Sequence, residues 1–375
     1  MSRTKKPASL LPLPAPLLRH HGGMAERTMH SWKETGDIPP VLLISGPAGI
    51  GKRSMVHHLA QWILCHKNGI RKKTGDDEPA LFGFAAPDES AAPGSAETGP
   101  CGKCPACQRA LGGNWLDFTE ISTDTGDETS KTIKIDQFRK LKETVGFGAY
   151  EGAYRIILIR DAEKMTNQAG NSLLKLLEEP PTGWLFFLTA SDESLLLATI
   201  VSRCQRMRFT PVPETTLLEF LQDADVPRER MAACARLAHG SWRKAMALAD
   251  DMSWTRRQSI MNFVARPAAG LSAIVDWAAS GHQWMEFMLD QIELVAGDLV
   301  ALCTDGETGP LANCDHADIL GKCCQDSIRK LGSKDAARAF WINRATRAFA
   351  ARQEITTPLN AKLLAQDVLI PWLEA

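Results

Sequence analysis

Two groups of residues in this sequence could do chemistry. In "LLISGPAGIGKRSM", residues 42–55, Gly46, Gly51 and Lys52 fit the pattern G-x-x-x-x-G-K-[ST] up to its last position, which is Arg53. A loop of this kind offers backbone N–H groups and a helix N-terminus to phosphate, and its lysine reaches the terminal phosphates. Gly46, Gly49, Gly51 and Lys52 are therefore the candidate nucleotide contacts. The hydroxyl that normally follows the lysine holds Mg²⁺. Arg53 has no acceptor atom and repels a cation. Ser54 comes one residue late, which on a helix turns it by about 100°. The second metal-holding position, an acidic residue at the end of an apolar strand, is also cationic. "IILIRDAEK" puts Arg160 directly after the apolar run, followed by Asp161, Ala162 and Glu163. Arginines at both metal positions predict that Mg²⁺-dependent hydrolysis is absent, while nucleotide binding without hydrolysis stays open. In the competing register, Asp161 and Glu163 would serve as metal ligand and base.

The second group is cysteine. Of ten cysteines, Cys101, Cys104 and Cys107 are spaced C-x-x-C-x-x-C, and Cys65 closes the helical stretch after the glycine loop. Short C-x-x-C spacing lets thiolates converge on one ion, and four of them make a closed tetrahedral site, structural rather than catalytic. Gly102 and Pro105 suit the tight turns this needs. Zinc is the expected ion, with Cys65 as fourth ligand and His66 as its competitor; an iron–sulfur cluster could use the same thiols. The remaining six cysteines are scattered, and in a chain expected to be cytoplasmic a cluster of this kind points to metal before disulfides.

The elements that must position these groups are legible as alternation. "VLLIS", 41–45, is a short apolar strand, the glycine loop follows, and "MVHHLAQWILC", 55–65, carries apolar residues at helical spacing. "YRIILIRDAEK" holds a second buried strand and "WLFFLTAS", 184–191, a third. Between them "NQAGNSLLKLLEEPP" reads as a helix stopped by Pro180 and Pro181. Strands alternating with helices imply an α/β core with a parallel sheet covered on both faces. Residues 67–100, rich in Gly, Pro, Ala and charge, read as a mobile insertion. Residues 211–252 read as a small helical unit and 253–375 as all-helical. There Met285, Met288, Leu289, Ile292, Ala296 and Leu299 form one apolar stripe.

The length of 375 residues suits two or three domains. A net charge of −1 argues against a strong sequence-independent grip on nucleic acid. It also weighs against a zinc-dependent nucleic-acid module, since no aromatic-plus-basic cluster surrounds the cysteines. No stretch of 18 apolar residues is present, so no membrane span is expected, and the proline-interrupted N-terminal run reads as cytosolic rather than secretory.

In order along the chain, "GPAGIGK", Cys65 with "CGKCPAC", "YEGAYRIILIRDAEKMTNQAGNSLLKLLEEPP", "FFLTAS" and "LLATIVSRCQRMRF" resemble the clamp-loader subunits of bacterial DNA polymerase III, an AAA+ family. The resemblance covers about residues 18 to 212 and continues more loosely to the end. Within the family, the hydrolysing subunit carries a complete loop with Ser or Thr and an Asp-Glu strand end. This chain, with Arg53 and Arg160, is more similar to the delta-prime type, whose ATP site is degenerate and whose zinc module is kept. The resemblance implies an AAA+ core over 1–210, a helical lid over 211–252 and a helical collar over 253–375. It implies a heteropentamer with the ATPase subunits and a delta-type subunit, loading a sliding clamp on primed DNA. Ser202, Arg203 and Cys204 match the family's Ser-Arg-Cys motif, whose arginine reaches a neighbour's ATP as a trans-acting finger. On residues alone, Arg203 is one of several surface arginines with Arg206 and Arg208. Arg243 matches a nucleotide-sensing lid arginine; Thr189 stands where the family places a polar sensor residue, and a satisfied strand-end hydroxyl is the competing reading. The alternative function is an AAA+ ATPase working at its own loop.

Overall fold

A computed structural model describes residues 15–67, 99–123, 132–144, 148–150, 153–304, 311–355 and 360–374. The insertion expected at 67–100 falls almost wholly outside the described residues. The chain divides into two compact units, with the boundary between Val212 and Pro213.

The first unit runs α1 (Ala15–Thr35), β1 (Val41–Ser45), α2 (Lys52–Leu64), α3 (Pro105–Leu111), β2 (Phe118–Ile121), α4 (Ile135–Glu143), β3 (Arg155–Ile159), α5 (Asn167–Glu178), β4 (Trp184–Ala190), α6 (Ala198–Val201) and β5 (Gln205–Arg208). The strands form one parallel sheet in the order β2-β3-β4-β1-β5. Every residue of β1, β3 and β4 is buried. Their sequences VLLIS, RIILI and WLFFLTA do not alternate because both faces of a parallel sheet are covered. Register is fixed by this packing: Leu43 lies opposite Leu188, and Ile157 opposite Phe186. α5 opens at Thr166, whose hydroxyl accepts from the Ala169 N–H, the usual way to satisfy an orphan donor of the first turn. It ends just ahead of Pro180, which cannot continue a helix.

Three strands and their helices match the expected spans closely, and the α/β core is built on a parallel sheet as expected. α1, β2 and β5 were not anticipated. β5 reads QRMR, with only Met207 buried. An edge strand that turns its charges to solvent carries no apolar signature.

The second unit holds α7 (Glu214–Asp223), α8 (Arg228–Leu237), α9 (Trp242–Ala249), α10 (Asp251–Ala265), α11 (Pro267–Ala278), α12 (His282–Leu302), α13 (Ala317–Leu331), α14 (Lys334–Glu354) and α15 (Ala361–Leu369). The stripe from Met285 to Leu299 is core: all six residues are buried on α12, which packs against α10, α11, α13 and α14. Among the described residues of this unit two charged side chains are buried, Arg257 and Asp298. Arg257 on α10 is 1% exposed, and its guanidinium donates to Asp315 Oδ1 at 2.6 Å and Oδ2 at 2.8 Å and to Asn313 Oδ1 at 3.0 Å. Asn313 is held in turn by Asp298 through its backbone and side-chain N–H groups.

Removing one partner of a buried ion pair leaves the other unpaired, which costs about 3–5 kcal/mol. Arg257→Ala is therefore expected to lose about that much in urea unfolding. Arg139→Ala, which breaks an exposed pair with Asp136, should change stability by no more than about 0.5 kcal/mol. Equal effects of the two would contradict the role given to Arg257.

Candidate nucleotide loop and metal centre

The glycine loop leaves β1 and enters α2 with its backbone in conformations that side chains resist. Gly46, Gly49 and Gly51 have φ of 143°, 78° and 101°. A Cβ on Gly46 would stand 2.4 Å from the carbonyl oxygen of Phe209, so this position requires glycine for space as well as for torsion. Lys52 is 7% exposed. Its Nζ donates to the Gly46 carbonyl and, at 2.8 Å, to the Pro47 carbonyl. The lysine is thus folded back on its own loop.

Arg53, on the first turn of α2, meets Arg160, which directly follows β3, on a single carboxylate. Arg53 Nη2 donates to Glu120 Oε2 at 2.8 Å, and Arg160 Nη1 donates to Glu120 Oε1 at 3.3 Å. His57, one turn along α2, places Nε2 3.5 Å from Oε2. Burial pushes the Glu120 carboxyl up, but the contacts from His57 and Arg53 outweigh it and hold the group down to about 2. Burial lowers His57 below its ordinary value. Glu120 carries no signal in the sequence because β2 is a four-residue edge strand with no strong pattern. The two sequence positions that must meet on a metal therefore do meet, and what joins them is an acid between two cations. A Mg²⁺ ion does not fit this set: the groups that would ligate it are guanidiniums.

Of the acids of the competing register, Asp161 borders this cluster, with Oδ2 3.9 Å from Arg160 Nε, and Glu163 is engaged elsewhere. Asp161 has φ 52°, its N–H donates to Thr189 Oγ1 at 3.1 Å, and its carboxylate pairs with Lys164 at 3.3 Å. Thr189 is 1% exposed. Glu163 Oε1 accepts from the N–H and the hydroxyl of Ser191, beyond the end of β4. Arg203, after α6, donates to Glu178 Oε1 at 2.7 Å and to the Thr199 carbonyl at 2.8 Å. Arg243 is exposed on α9 of the second unit.

The four cysteines come together. The sulfurs of Cys65, Cys101, Cys104 and Cys107 all lie within 4.8 Å of one another. Cys65 caps the end of α2, and Cys104 caps the start of α3, with Pro105 at its first position. Gly102, at φ 67°, turns the chain between Cys101 and Cys104. The Cys101 N–H points at the Cys65 sulfur (3.4 Å) and the Cys104 N–H at the Cys101 sulfur (3.3 Å). Burial pushes the Cys101 thiol up, yet the Lys103 and Cys104 N–H groups bring it down to about 7. Tetrahedral zinc thiolates sit roughly 3.8 Å apart, and two of the sulfur pairs here are at 4.0 Å. The donor set fits a tetrahedral metal such as zinc, which these four residues would hold. His66 is exposed and lies outside the group.

Two outcomes follow. Metal analysis of the purified chain is expected to give one zinc per chain, and Cys104→Ser to lower that content; a metal-free chain with four free thiols would overturn the assignment. For Glu120 the folded-state value lies below the ordinary 4.5, so its ionised form stabilises the fold above pH 4.5, and that contribution fades as pH falls toward 2. The stability gap between the wild type and Glu120→Gln, at most about 3 kcal/mol, is expected to be flat above pH 4.5 and to narrow toward pH 2. A gap independent of pH would contradict the ion cluster.

Comparison with known proteins agrees with the motifs. A family model described as DNA polymerase III, delta subunit, matches residues 87–213. The DNA polymerase III subunit delta' of Escherichia coli is 27% identical over 225 residues, 60% of this chain and 58% of that protein. The delta' subunit of Pseudomonas aeruginosa is 33% identical over 202 residues, 53% and 52% respectively. The tau/gamma subunit of Haemophilus influenzae is 28% identical over 235 residues, 61% and 29% respectively. A solved structure of a DNA polymerase III gamma subunit-related protein from Thermotoga maritima superposes with a TM-score of 0.43 at 15% identity, covering 92% of this chain and 98% of that one. The chain spans about half the length of the curated delta' relatives it matches. Among the described residues, no helix is long and apolar enough to cross a membrane. By sequence, this chain is similar to the delta-prime subunits of bacterial DNA polymerase III.

Proposed function

We propose that the chain is a cytoplasmic, non-hydrolysing subunit of the replicative clamp loader. The observation that carries this is the meeting of Arg53 and Arg160 on Glu120, which puts a closed ion cluster where Mg²⁺ would have to be held. The glycine shell and Lys52 are compatible with a bound nucleotide, but the two positions that would hold Mg²⁺ for its activation are Arg53 and Arg160. The engagement of Asp161 with Lys164 and of Glu163 with Ser191 weighs against the alternative of an ATPase working at its own loop. The zinc is structural, closing the knuckle at the end of α2.

In this reading the first unit is the AAA+ core, 211–252 a lid, and 253–375 a collar that joins the other loader subunits in a pentamer acting on the sliding clamp and primed DNA. The chemistry the chain contributes is Arg203, given to a neighbour's ATP as a fixed cation that stabilises charge developing on the transferred phosphoryl group. In the isolated chain Arg203 is paired with Glu178. This pair is half-exposed and therefore weak enough to exchange.

The test is reconstitution. A loader assembled with Arg203→Ala should still form, and turnover at the adjoining ATP site should fall by about 10³-fold or more, leaving only the DNA-stimulated activity of the other sites. Undiminished activity in that assembly would reject the finger role.

A further inference from the structure

The groups around Glu120 form a pattern that phosphate sites share. Guanidinium forks recognise carboxylates and phosphates through the same planar, charge-assisted hydrogen bonds. Arg53 takes one oxygen of Glu120 and Arg160 the other, as two cations would share a phosphate. The carboxylate is positioned from two sides. Glu120 lies opposite Leu158 in the β2–β3 ladder, and the Arg160 N–H donates to the Ile121 carbonyl at 2.9 Å. Its side chain is only 19% exposed. Arg53 directly follows Lys52, so whatever holds Arg53 also fixes the end of the glycine loop.

We propose that Glu120 is an internal anion standing in for the phosphate of a ligand, which holds the loop in a closed, ligand-independent form. Take that carboxylate away, and Arg53, Arg160 and the loop become a site for a polyphosphate that needs no divalent cation, because the cations are already built in. This rests on the reading of the loop as non-hydrolysing, and it adds a residue and a mechanism that the loop pattern does not contain.

The experiment measures binding of inorganic pyrophosphate, in EDTA and then in Mg²⁺, to the full chain as wild type and as Glu120→Gln. The variant is expected to bind about tenfold more tightly or better, the scale of one charge-assisted hydrogen bond regained by each arginine, with no improvement from Mg²⁺. Adding Arg53→Ala and Arg160→Ala to the variant should remove the gain. Glu34→Gln, which deletes an exposed acid on α1, should show none. Should Glu120→Gln fail to fold, Glu120→Asp replaces it; the shortened side chain withdraws the carboxylate from the guanidiniums and should give a smaller gain in the same direction. Equal binding by wild type and variant, or a gain that requires Mg²⁺, would overturn the proposal. Hydrolysis of ATP by the wild type would instead overturn the functional reading beneath it, so the two failures are distinguishable.

Discussion

One half-buried carboxylate, Glu120, holds the first unit's candidate site in its arrangement. It ties the first turn of α2 to the ends of β2 and β3 through Arg53 and Arg160. An ion cluster of this kind adds little net stability compared with a well-packed apolar substitute, but each member becomes costly to remove once the others are in place. Its consequence is specificity of arrangement. The glycine loop cannot open at its helix end without breaking the Arg53 contact, and at its strand end Lys52 is bound to the Gly46 and Pro47 carbonyls.

The other features of this unit extend the same constraint. α2 begins at the loop and ends at Cys65, where the cysteine knuckle grips it. The helix that would move with a bound nucleotide is thus flanked at one end by an ion cluster and at the other by the four-cysteine group. Beyond β3 and β4, the Asp161 N–H bonds Thr189, its carboxylate pairs with Lys164, and the Glu163 carboxylate accepts from Ser191. A rigid unit is what a subunit needs if its task is to present Arg203 to a neighbour rather than to cycle through states of its own. The glycines that once suggested an enzyme serve, on this account, to bring the backbone past Phe209 and into α2.

Much of this was legible in the residues. The strands at 41–45 and 184–190 and the helix from 167 were readable because both faces of a parallel sheet are buried, which writes itself as an unbroken apolar run. The cysteine group was readable because ligand spacing is local. Arg53 and Arg160 were readable as misfits to a pattern. Glu120 was not. Its importance comes from contacts 67 and 40 residues away along the chain, on a strand of four residues paired on one side only. Nothing local marks such a residue, because its role is defined by what the sheet brings to it. β5 was missed for a related reason: an exposed edge of alternating charge looks like a loop until its neighbour is known.

The most direct test of the central claim is the steady-state ATPase of the purified, zinc-replete chain in Mg²⁺ and ATP, alongside its Lys52→Ala variant. The account predicts no turnover above background in either protein. Sustained hydrolysis by the wild type, abolished by Lys52→Ala, would contradict it.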